Sequence, residues 1–357
     1  MSKTIDMTPD ADSKRARHTA RSARKRRERR LTLATWSIVI ASYVAIVFAF
    51  AFPHDFRNAG PAYVWTAWTA FMIRTFSFHL GLFLGAVALR AVLARRWRPV
   101  VAILPLVCFC VGSAVWSYMP KPKPPVAGET ITVMSINLLG ANRNTDAIVA
   151  EAVATRPDVL LLQEYRSRWH AAFQPALAAD YPHMACAIRE DNFGLAVYSR
   201  QPLVGAADMW VPLGTAGTPQ ARAVVLVDDR EVAFYNVHLM PPRSLGRTVE
   251  QRQEFADLMD RLRREELPIV LCGDFNFSND TAFADELERL GLVDAHRISG
   301  RGRGSTWCRL GPLRWLPGIR LDHVFVSKEL TSTASRAGTG SGSDHRPVIA
   351  DIGFSGG

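Results

Sequence analysis

Polar side chains that can bind a metal or move a proton collect at the ends of apolar segments in the second half of this 357-residue sequence. Glu164, Asp274 and Asn276 each follow a short apolar run, and His345 stands just before the last one. Catalytic side chains are commonly displayed on loops at such strand ends. Carboxylate and amide oxygens suit a hard divalent cation, and a nearby imidazole can take a proton from water. The pattern therefore predicts one hydrolytic site assembled from several strand ends.

Further candidate residues occupy similar positions. Asn137 ends the first apolar run, and Asn236 and His238 lie two residues apart, so their side chains share one face of a strand. We consider Asn236 and Arg222 candidate substrate-binding residues. The respective alternatives are a brace within the sheet and a surface arginine.

Two aspartates lie at the start of, or just before, the last two predicted strands. Asp322 follows an arginine and a leucine at the start of one strand, and Asp344 lies beside His345 before another. His323 comes directly after Asp322, so its side chain points to the opposite face of the strand. We therefore expect His323 to serve packing or to lie at the surface.

From residue 129 the sequence alternates short apolar segments with amphipathic ones. Eight segments are predicted to be strands because they are short, apolar and bounded by turn residues. They are Ile131–Ile136, Val159–Gln163, Leu195–Ser199, Ala223–Val227, Val232–His238, Ile269–Cys272, Leu321–Val326 and Val348–Ile352. Asp146–Thr155 and Thr248–Glu266 have helical periodicity. Many strands with few helices indicate an α/β fold other than a simple doubly wound sheet.

Six segments resemble, in order, motifs of the endonuclease/exonuclease/phosphatase superfamily, which includes deoxyribonuclease I and bacterial sphingomyelinases. They are Met134–Asn137, Arg156–Glu164, Tyr235–Leu239, Leu271–Asn276, Arg320–Ser327 and Gly342–Pro347. Each segment alone has a structural explanation, but all six in one order are far harder to obtain by chance. The resemblance covers about residues 129–354. It implies a four-layer α/β sandwich of two packed mixed sheets, with the site at one end.

The resemblance also implies roles for individual residues. Glu164 would be the principal ligand of Mg²⁺, or of Mn²⁺, with Asn137 beside it and Asp344 as a further metal contact. His345 would be the general base, or the electrostatic partner, of the attacking water. Asp322 would be the carboxylate that orients His345.

Three more positions complete the implied site. Asp274 would align the nucleophile, and Asn276 and His238 would donate hydrogen bonds to the non-bridging phosphate oxygens. Carboxylates alone would repel a phosphate ester, and a cation between them and the phosphate reverses that effect. The expected activity is therefore metal-dependent hydrolysis of a phosphodiester or phosphomonoester.

Three long apolar runs precede this domain, which predicts three transmembrane helices. Residues 31–52 carry no charge and are long enough to cross a hydrocarbon core of about 30 Å. The second run, 63–94, contains its cleanest span at 75–93, and the third run is 99–119. An anchor of three helices over 31–120 follows from this pattern.

The remaining segments are polar. Residues 1–30 are basic and without periodicity, which predicts a disordered cytoplasmic tail. Residues 121–128 are rich in proline and are expected to form a stiff linker. The catalytic domain then occupies 129–354.

The net charge of +10 comes from the N-terminal third. Residues 1–30 carry 11 Lys/Arg against four Asp/Glu, whereas residues 121–357 carry 26 against 28. A high pI therefore does not make the catalytic domain a nucleic-acid-binding surface. Cytoplasmic loops are enriched in Lys/Arg, so the tail and the basic loop 95–98 are expected inside. Three spans then predict a multi-pass protein of the cell (inner) membrane with its catalytic domain on the outer or periplasmic face.

The sequence is compatible with more than one class of phosphate-ester substrate. Residues 295–320 hold six arginines and no acidic residue, which would make a positive mouth for anionic substrates, or alternatively a solvated loop. A nuclease is favoured, phospholipid or sphingomyelin head-group hydrolysis is the alternative, and an inactive membrane-held binding module is a further one. The expected partners are a phosphate ester, from a nucleic acid or a lipid head group, and a lipid bilayer. No protein partner is predicted.

Overall fold

The computed structural model describes residues 9–205, 209–308, 311–340 and 342–356, and it joins an N-terminal helical region to an α/β domain. The helices are α1 Pro9–Ala51, α2 Pro61–Thr75, α3 Ser77–Leu93, α4 Trp97–Trp116, α5 Thr145–Thr155, α6 Ser167–Leu177, α7 Leu245–Leu262, α8 Ala282–Arg289 and α9 Ala295–Ser299. The strands are β1 Val126–Asn137, β2 Val159–Gln163, β3 His183–Ala187, β4 Leu195–Ser199, β5 Leu203–Val204, β6 Trp210–Leu213, β7 Thr218–Val227, β8 Arg230–His238, β9 Ile269–Asp274, β10 Val293–Asp294, β11 Asp322–Val326, β12 Leu330–Ala337 and β13 Val348–Ser355.

Two mixed sheets pack face to face. The first has the strand order β12-β13-β1-β2-β4-β3, and the second has the order β10-β11-β9-β8-β7-β5, with β6 added beside β7. One apolar cluster lies between the sheets, a second lies under α5 and α6, and a third lies under α7 and α8. Since helices cover the outer face of each sheet, the predicted four-layer sandwich is confirmed. All eight predicted strands are present, several of them longer than expected.

The ends of the catalytic domain differ slightly from the prediction. β1 begins at Val126 rather than at residue 129, because Val126 and Ala127 pair with Ser355 and Phe354 of β13. The pairing of the first and last strands extends the domain at both ends. The proline-rich linker is correspondingly shorter.

The basic N-terminal tail is helical where the structure describes it. α1 runs from Pro9 through the whole first apolar run to Ala51, so the prediction of a disordered tail is wrong for residues 9–30. Ala, Arg, Lys and Glu are strong helix formers. The apolar half of α1 already supplies the helix nucleus, and extending a helix costs far less than starting one. Residues 1–8 lie outside the described part of the chain.

Within the described ranges, two helices are long and apolar enough to cross a bilayer, one ending at Ala51 and the other being α4. The second apolar run is split into α2 and α3, which meet at a bend of 59° and together count as a third candidate span. α3 begins at Ser77, close to the start of the predicted span 75–93. Arg96 at the start of α4 donates a hydrogen bond to Thr32 of α1 (2.8 Å), so these two positions lie at the same level.

The segment 53–75 packs on the catalytic domain, which the sequence did not indicate. Phe71 of α2 is buried in the apolar cluster under α7 and α8. The ring of Phe56 lies 4.7 Å from the rings of Phe255 and Phe283, centroid to centroid. Burying one such side chain contributes about 1.5–3 kcal/mol. The N-terminal helical region and the α/β domain therefore share part of one core.

Polar contacts fix the same interface. The buried Arg74 guanidinium donates to Asp285 (2.6 Å) and to the carbonyl oxygen of Asp280, and the Trp68 indole donates to the carbonyl oxygen of Pro242 (3.1 Å). Arg57 forms ion pairs with two aspartates of α7. The charge of Arg74 is therefore neutralised by the α/β domain.

Replacing Arg74 by alanine is expected to lower the stability of the full-length protein by about 1.5–3 kcal/mol, because a hydrogen bond to a charged partner is lost. Thermal unfolding of the detergent-purified chain measures this effect. Arg247→Ala, which removes an exposed arginine from α7, is the matched control. Equal unfolding temperatures for the two variants would contradict the docking role of Arg74.

Candidate active site

Three predicted site residues are neighbours across the second sheet. His238 of β8 pairs with Asp274 of β9, and Asp274 pairs with Asp322 of β11. The three residues lie at one end of the sheet because β8 and β9 are parallel and both end there, whereas β11 runs antiparallel to β9 and begins there. The His238 Nε2 lies 3.6 Å from the Asp274 Oδ2.

The first sheet brings Asn137 and Glu164 to the same place. The Asn137 amide donates to Glu164 (3.2 Å) and, across the two sheets, to Asp274 (2.9 Å). Glu164 also accepts the backbone N–H of Gly140 (2.6 Å). Its φ of 56° turns the chain sharply after β2. Asn137 therefore connects the residues of the two sheets.

His345 and Asp322 form a buried pair. The His345 Nδ1 lies 2.7 Å from the Asp322 Oδ2, and the Nε2 lies 3.7 Å from the Asp274 Oδ2. Burial alone would lower the pKa of the His345 imidazole, but the carboxylates of Asp322 and Asp274 outweigh burial and raise that pKa to about 10. Asp274 also accepts the backbone N–H of Asn276 (3.0 Å). The predicted pairing of His345 with Asp322 thus matches the geometry.

The loop before β13 is held in place by a serine that sequence reasoning did not single out. Ser343 Oγ donates to the carbonyl oxygen of Asn137 (2.8 Å) and accepts the backbone N–H of His345 (3.0 Å). Asp344, by contrast, accepts a hydrogen bond from the Trp307 indole (3.1 Å). Ser343 is part of the Gly342–Pro347 motif, so the motif could have identified it as a site-supporting residue.

Thr306 is a second residue that the sequence did not reveal. Its Oγ1 accepts the backbone N–H groups of Leu321 (3.0 Å) and Asp322 (3.2 Å). The segment around Trp307 therefore supports Asp322 and Asp344 together. Neither contact has a sequence signature, because the segment lies 15 or more residues from its partners.

Asn236 does not lie at the site surface. It is fully buried between the sheets, where its amide donates to the carbonyl oxygens of Leu162 and Ala196 and its oxygen accepts from Gln163 (2.6 Å). All of its polar atoms have protein partners. The brace is therefore the correct alternative, and substrate binding by Asn236 is not supported.

Arg222 also lies away from the site. Its guanidinium forms a two-pronged ion pair with Glu265 (2.7 and 2.8 Å), which also accepts a hydrogen bond from the hydroxyl group of Tyr235. Arg222 pairs with Tyr235 across the strands, and the site residue His238 lies three residues further along β8. The structure gives no support to the prediction that Arg222 contacts substrate, because its charge is already neutralised by Glu265.

Three of the six arginines in the segment 295–320 have partners within the protein, whereas Arg301 and Arg314 are exposed and Arg309 lies outside the described residues. Arg320 is buried in an ion pair with Asp294, and Arg297 pairs with Glu288. The Arg303 guanidinium lies 3.7 Å from the centroid of the Phe78 ring in α3. His323 completes the Asp294 cluster (3.0 Å), which confirms its packing role.

The donor set at this end of the sheets fits a hard divalent cation. Glu164, Asp274, Asp322 and Asp344 supply carboxylate oxygens, and ligand atoms of Asp274, Asp322 and His345 lie within 4.8 Å of one another. Among the described residues, the Asp322 Oδ1 is buried and has no hydrogen-bond partner. A dense group of carboxylates with a spare buried oxygen is suited to Mg²⁺ or Mn²⁺.

Two packed mixed sheets with carboxylates, amides and histidines at one end define a class of phosphoester hydrolases. Residues 134–345, more than half of the chain, match the Endonuclease/Exonuclease/phosphatase family, and the chain belongs to this family. Members of the family hydrolyse phosphoester bonds and typically use a divalent metal. No curated protein matches the chain.

Solved structures share the fold at low sequence identity. An endonuclease/exonuclease/phosphatase from Beutenbergia cavernae is 22% identical, with a TM-score of 0.53, and the alignment covers 64% of this chain and 72% of the other. Truncated TDP2 from Caenorhabditis elegans is 19% identical, with a TM-score of 0.51, over 63% of this chain and 98% of the other. The catalytic domain of human Nocturnin, solved with a bound sulfate anion, is 19% identical, with a TM-score of 0.50, over 65% and 97%.

Proposed function

We propose that this chain is a membrane-anchored, metal-dependent phosphoesterase that hydrolyses a phosphodiester or phosphomonoester with an activated water. The observation that carries the proposal is the connected set in which Asn137 bonds to both Glu164 and Asp274, while His345 bonds to Asp322. Each of these residues occupies a position that the sequence motifs single out. An inactive binding module would have no need of the complete set.

In this proposal His345 handles the proton. Asp322 accepts the Nδ1–H, which fixes the ring and leaves the Nε2 toward the site. The attacking water would hydrogen-bond to that Nε2 and transfer its proton there as the bond to phosphorus forms and the bond to the leaving oxygen breaks. Because Asp322 and Asp274 raise the pKa of His345 to about 10, the imidazole would be free to accept this proton at neutral pH only with a cation at the site that offsets those carboxylates. Asp274, 3.7 Å from the Nε2, would hold the same water in line with the leaving oxygen.

Glu164 and Asn137 are the proposed holders of the metal, with Asp344 as a further contact. When bound, Mg²⁺ supplies positive charge that offsets the carboxylates and the phosphate oxygens. His238 and Asn276 are the proposed donors to the non-bridging oxygens. The His238 Nδ1 is buried and has no hydrogen-bond partner among the described residues, so the imidazole has hydrogen-bonding capacity to spare.

Removal of divalent metal is expected to abolish hydrolysis. The full-length protein, purified in detergent, would be assayed on a small phosphodiester and a small phosphomonoester before and after EDTA treatment. We expect activity to be lost and then restored by Mg²⁺ or Mn²⁺ in excess over the chelator. Turnover that persists after exhaustive chelation would refute the proposal.

The proposed topology places the N-terminus in the cytoplasm and the catalytic domain on the outer or periplasmic face. Arg96 lies level with Thr32, so the basic loop and the start of the first apolar run share one end of the helices. A phosphatase reporter active only outside the cytoplasm, fused after Gly357, should be active. Activity of a cytoplasm-only reporter at the same position would reverse the topology.

The structure bears differently on the two candidate substrate classes, nucleic acids and lipid head groups. The arginines of 295–320 favoured nuclease action in the sequence. Three of the six form ion pairs or stack on an aromatic ring in the structure, which weakens that support. Lipid head-group hydrolysis gains support, because His79 and Ser117, at the ends of α3 and α4, contact the segment that supports the site. Parallel assays on DNA, RNA and phospholipid would distinguish the two substrate classes.

A further inference from the structure

A short segment beside the site carries two exposed apolar side chains. Residues 311–318, which we call the tip segment, contain the turn Pro312–Trp315 and return to the domain through Ile319, which pairs with Trp307. Trp315 is 79% exposed and Leu316 is 56% exposed. Exposed apolar side chains of this size, adjacent in sequence at the end of a loop, are typical of a surface that contacts a partner.

The tip segment contacts the ends of the apolar helices. The carbonyl oxygen of Pro317 lies 2.7 Å from the His79 Nε2, near the start of α3. Arg303 donates to the carbonyl oxygen of Gly318 (2.9 Å) and stacks on Phe78. Earlier in the chain, the Gly302 N–H donates to the carbonyl oxygen of Ser117, the residue that follows α4. The tip segment therefore lies level with the ends of α3 and α4 that face the catalytic domain.

Other exposed aromatic residues lie at the same level. Phe76, Trp116 and Tyr118 are 39%, 73% and 56% exposed, and all three lie at those ends of α3 and α4. Trp and Tyr are enriched where a membrane-spanning helix leaves the hydrocarbon core. Trp315 belongs to this belt by position, and the exposed Arg314 beside it can meet lipid phosphates.

We propose that the tip segment is a membrane-binding surface, inserted through Trp315 and Leu316 into the interfacial layer of the bilayer that holds α1, α3 and α4. The proposal rests on the membrane anchoring in the proposed function and is independent of the reaction catalysed. Asp322 lies seven residues after Trp315, so the site is within about 25 Å of the inserted side chain. The bilayer thus holds the site at a fixed short distance from lipid head groups.

Lipid contact at the tip can be measured without an activity assay. The full-length chain, with an environment-sensitive fluorescent amino acid in place of Leu316, would be reconstituted in phosphatidylcholine–phosphatidylglycerol nanodiscs. We expect blue-shifted emission and several-fold stronger quenching by lipids brominated in the acyl chains than for the same probe at Val153. Val153 is exposed on α5, in the helical layer that covers the first sheet. Trp315→Asp should weaken the quenching at Leu316.

A third probe separates this proposal from the anchoring that it assumes. Leu104 is exposed in the middle of α4 and should be quenched strongly. Quenching at Leu104 together with Val153-like emission at Leu316 would overturn the tip proposal and leave the anchor intact. A blue shift at Leu316 without quenching would indicate a protein contact and overturn it as well. Failure of quenching at Leu104 would remove both the anchor and the tip insertion.

Discussion

His345→Ala is expected to lower kcat/KM for phosphoester hydrolysis by about 10²- to 10⁴-fold, which is the usual contribution of a positioned acid–base group. The loss should appear mainly in kcat, because in the proposed mechanism the imidazole would contact the attacking water rather than the bulk of the substrate. Asp322→Asn should give a smaller loss, since His345 would keep its place but lose the negative charge beside its Nδ1.

His183→Ala is the matched control for this prediction. His183 is half-buried at the start of the edge strand β3, where it pairs with Ser199, at the end of the sheet away from Gln163 and Glu164. Its removal should leave the rate unchanged within a factor of about two, as expected for a surface substitution. A wild-type rate for His345→Ala, in a protein that unfolds at the normal temperature, would show that the site has been misplaced.

Glu164→Gln is expected to have the second large effect, on metal affinity. Loss of an outer contact to a bound metal typically costs 10- to 100-fold in affinity, and loss of a direct ligand should cost at least about 100-fold. The Mg²⁺ concentration that gives half-maximal activity should therefore rise by that factor. Glutamine keeps an oxygen that can accept the Gly140 N–H, so the fold should survive.

Glu129→Gln provides the comparison for Glu164. Glu129 is exposed near the start of β1, at the opposite end of that strand from Asn137. The Glu129 variant should show the wild-type Mg²⁺ dependence. If the Glu164 variant shows it too, Glu164 does not hold the metal, and a carboxylate of the second sheet becomes the candidate.

The residues of the candidate site could largely be located in the sequence because they lie at strand ends. Because strands are short, a polar residue that directly follows an apolar run can be placed at the end of a strand to within about one position. Asp274 and Glu164 were found in this way. The environments of Asn236 and Arg222 could not be predicted, because burial and pairing depend on what lies opposite a residue. Here the partner of Asn236 is Gln163 and the partner of Arg222 is Glu265.

The docking of α2 could not be predicted for a related reason. Its composition is apolar with tryptophans near one end, which matches a membrane helix as well as a helix packed on a protein. The residues that distinguish the two, Asp285 and Phe283, lie more than 200 positions further along the chain. The polar strand β12 was missed because its sequence, LTSTASRA, carries little apolar signal.

The docked segment also sets an order for biosynthesis. Phe56, Phe71 and Arg74 leave the ribosome long before Phe283 and Asp285 are made, since chains emerge from the N-terminus. The N-terminal helical region is thus made before its partners exist, and Phe71 of that region completes the cluster under α7 and α8. Contacts so distant in sequence form late and slowly. With the membrane anchoring proposed above, maturation would be coupled to correct membrane insertion, and a chain with misplaced N-terminal helices would expose an incomplete core that a quality-control protease can recognise.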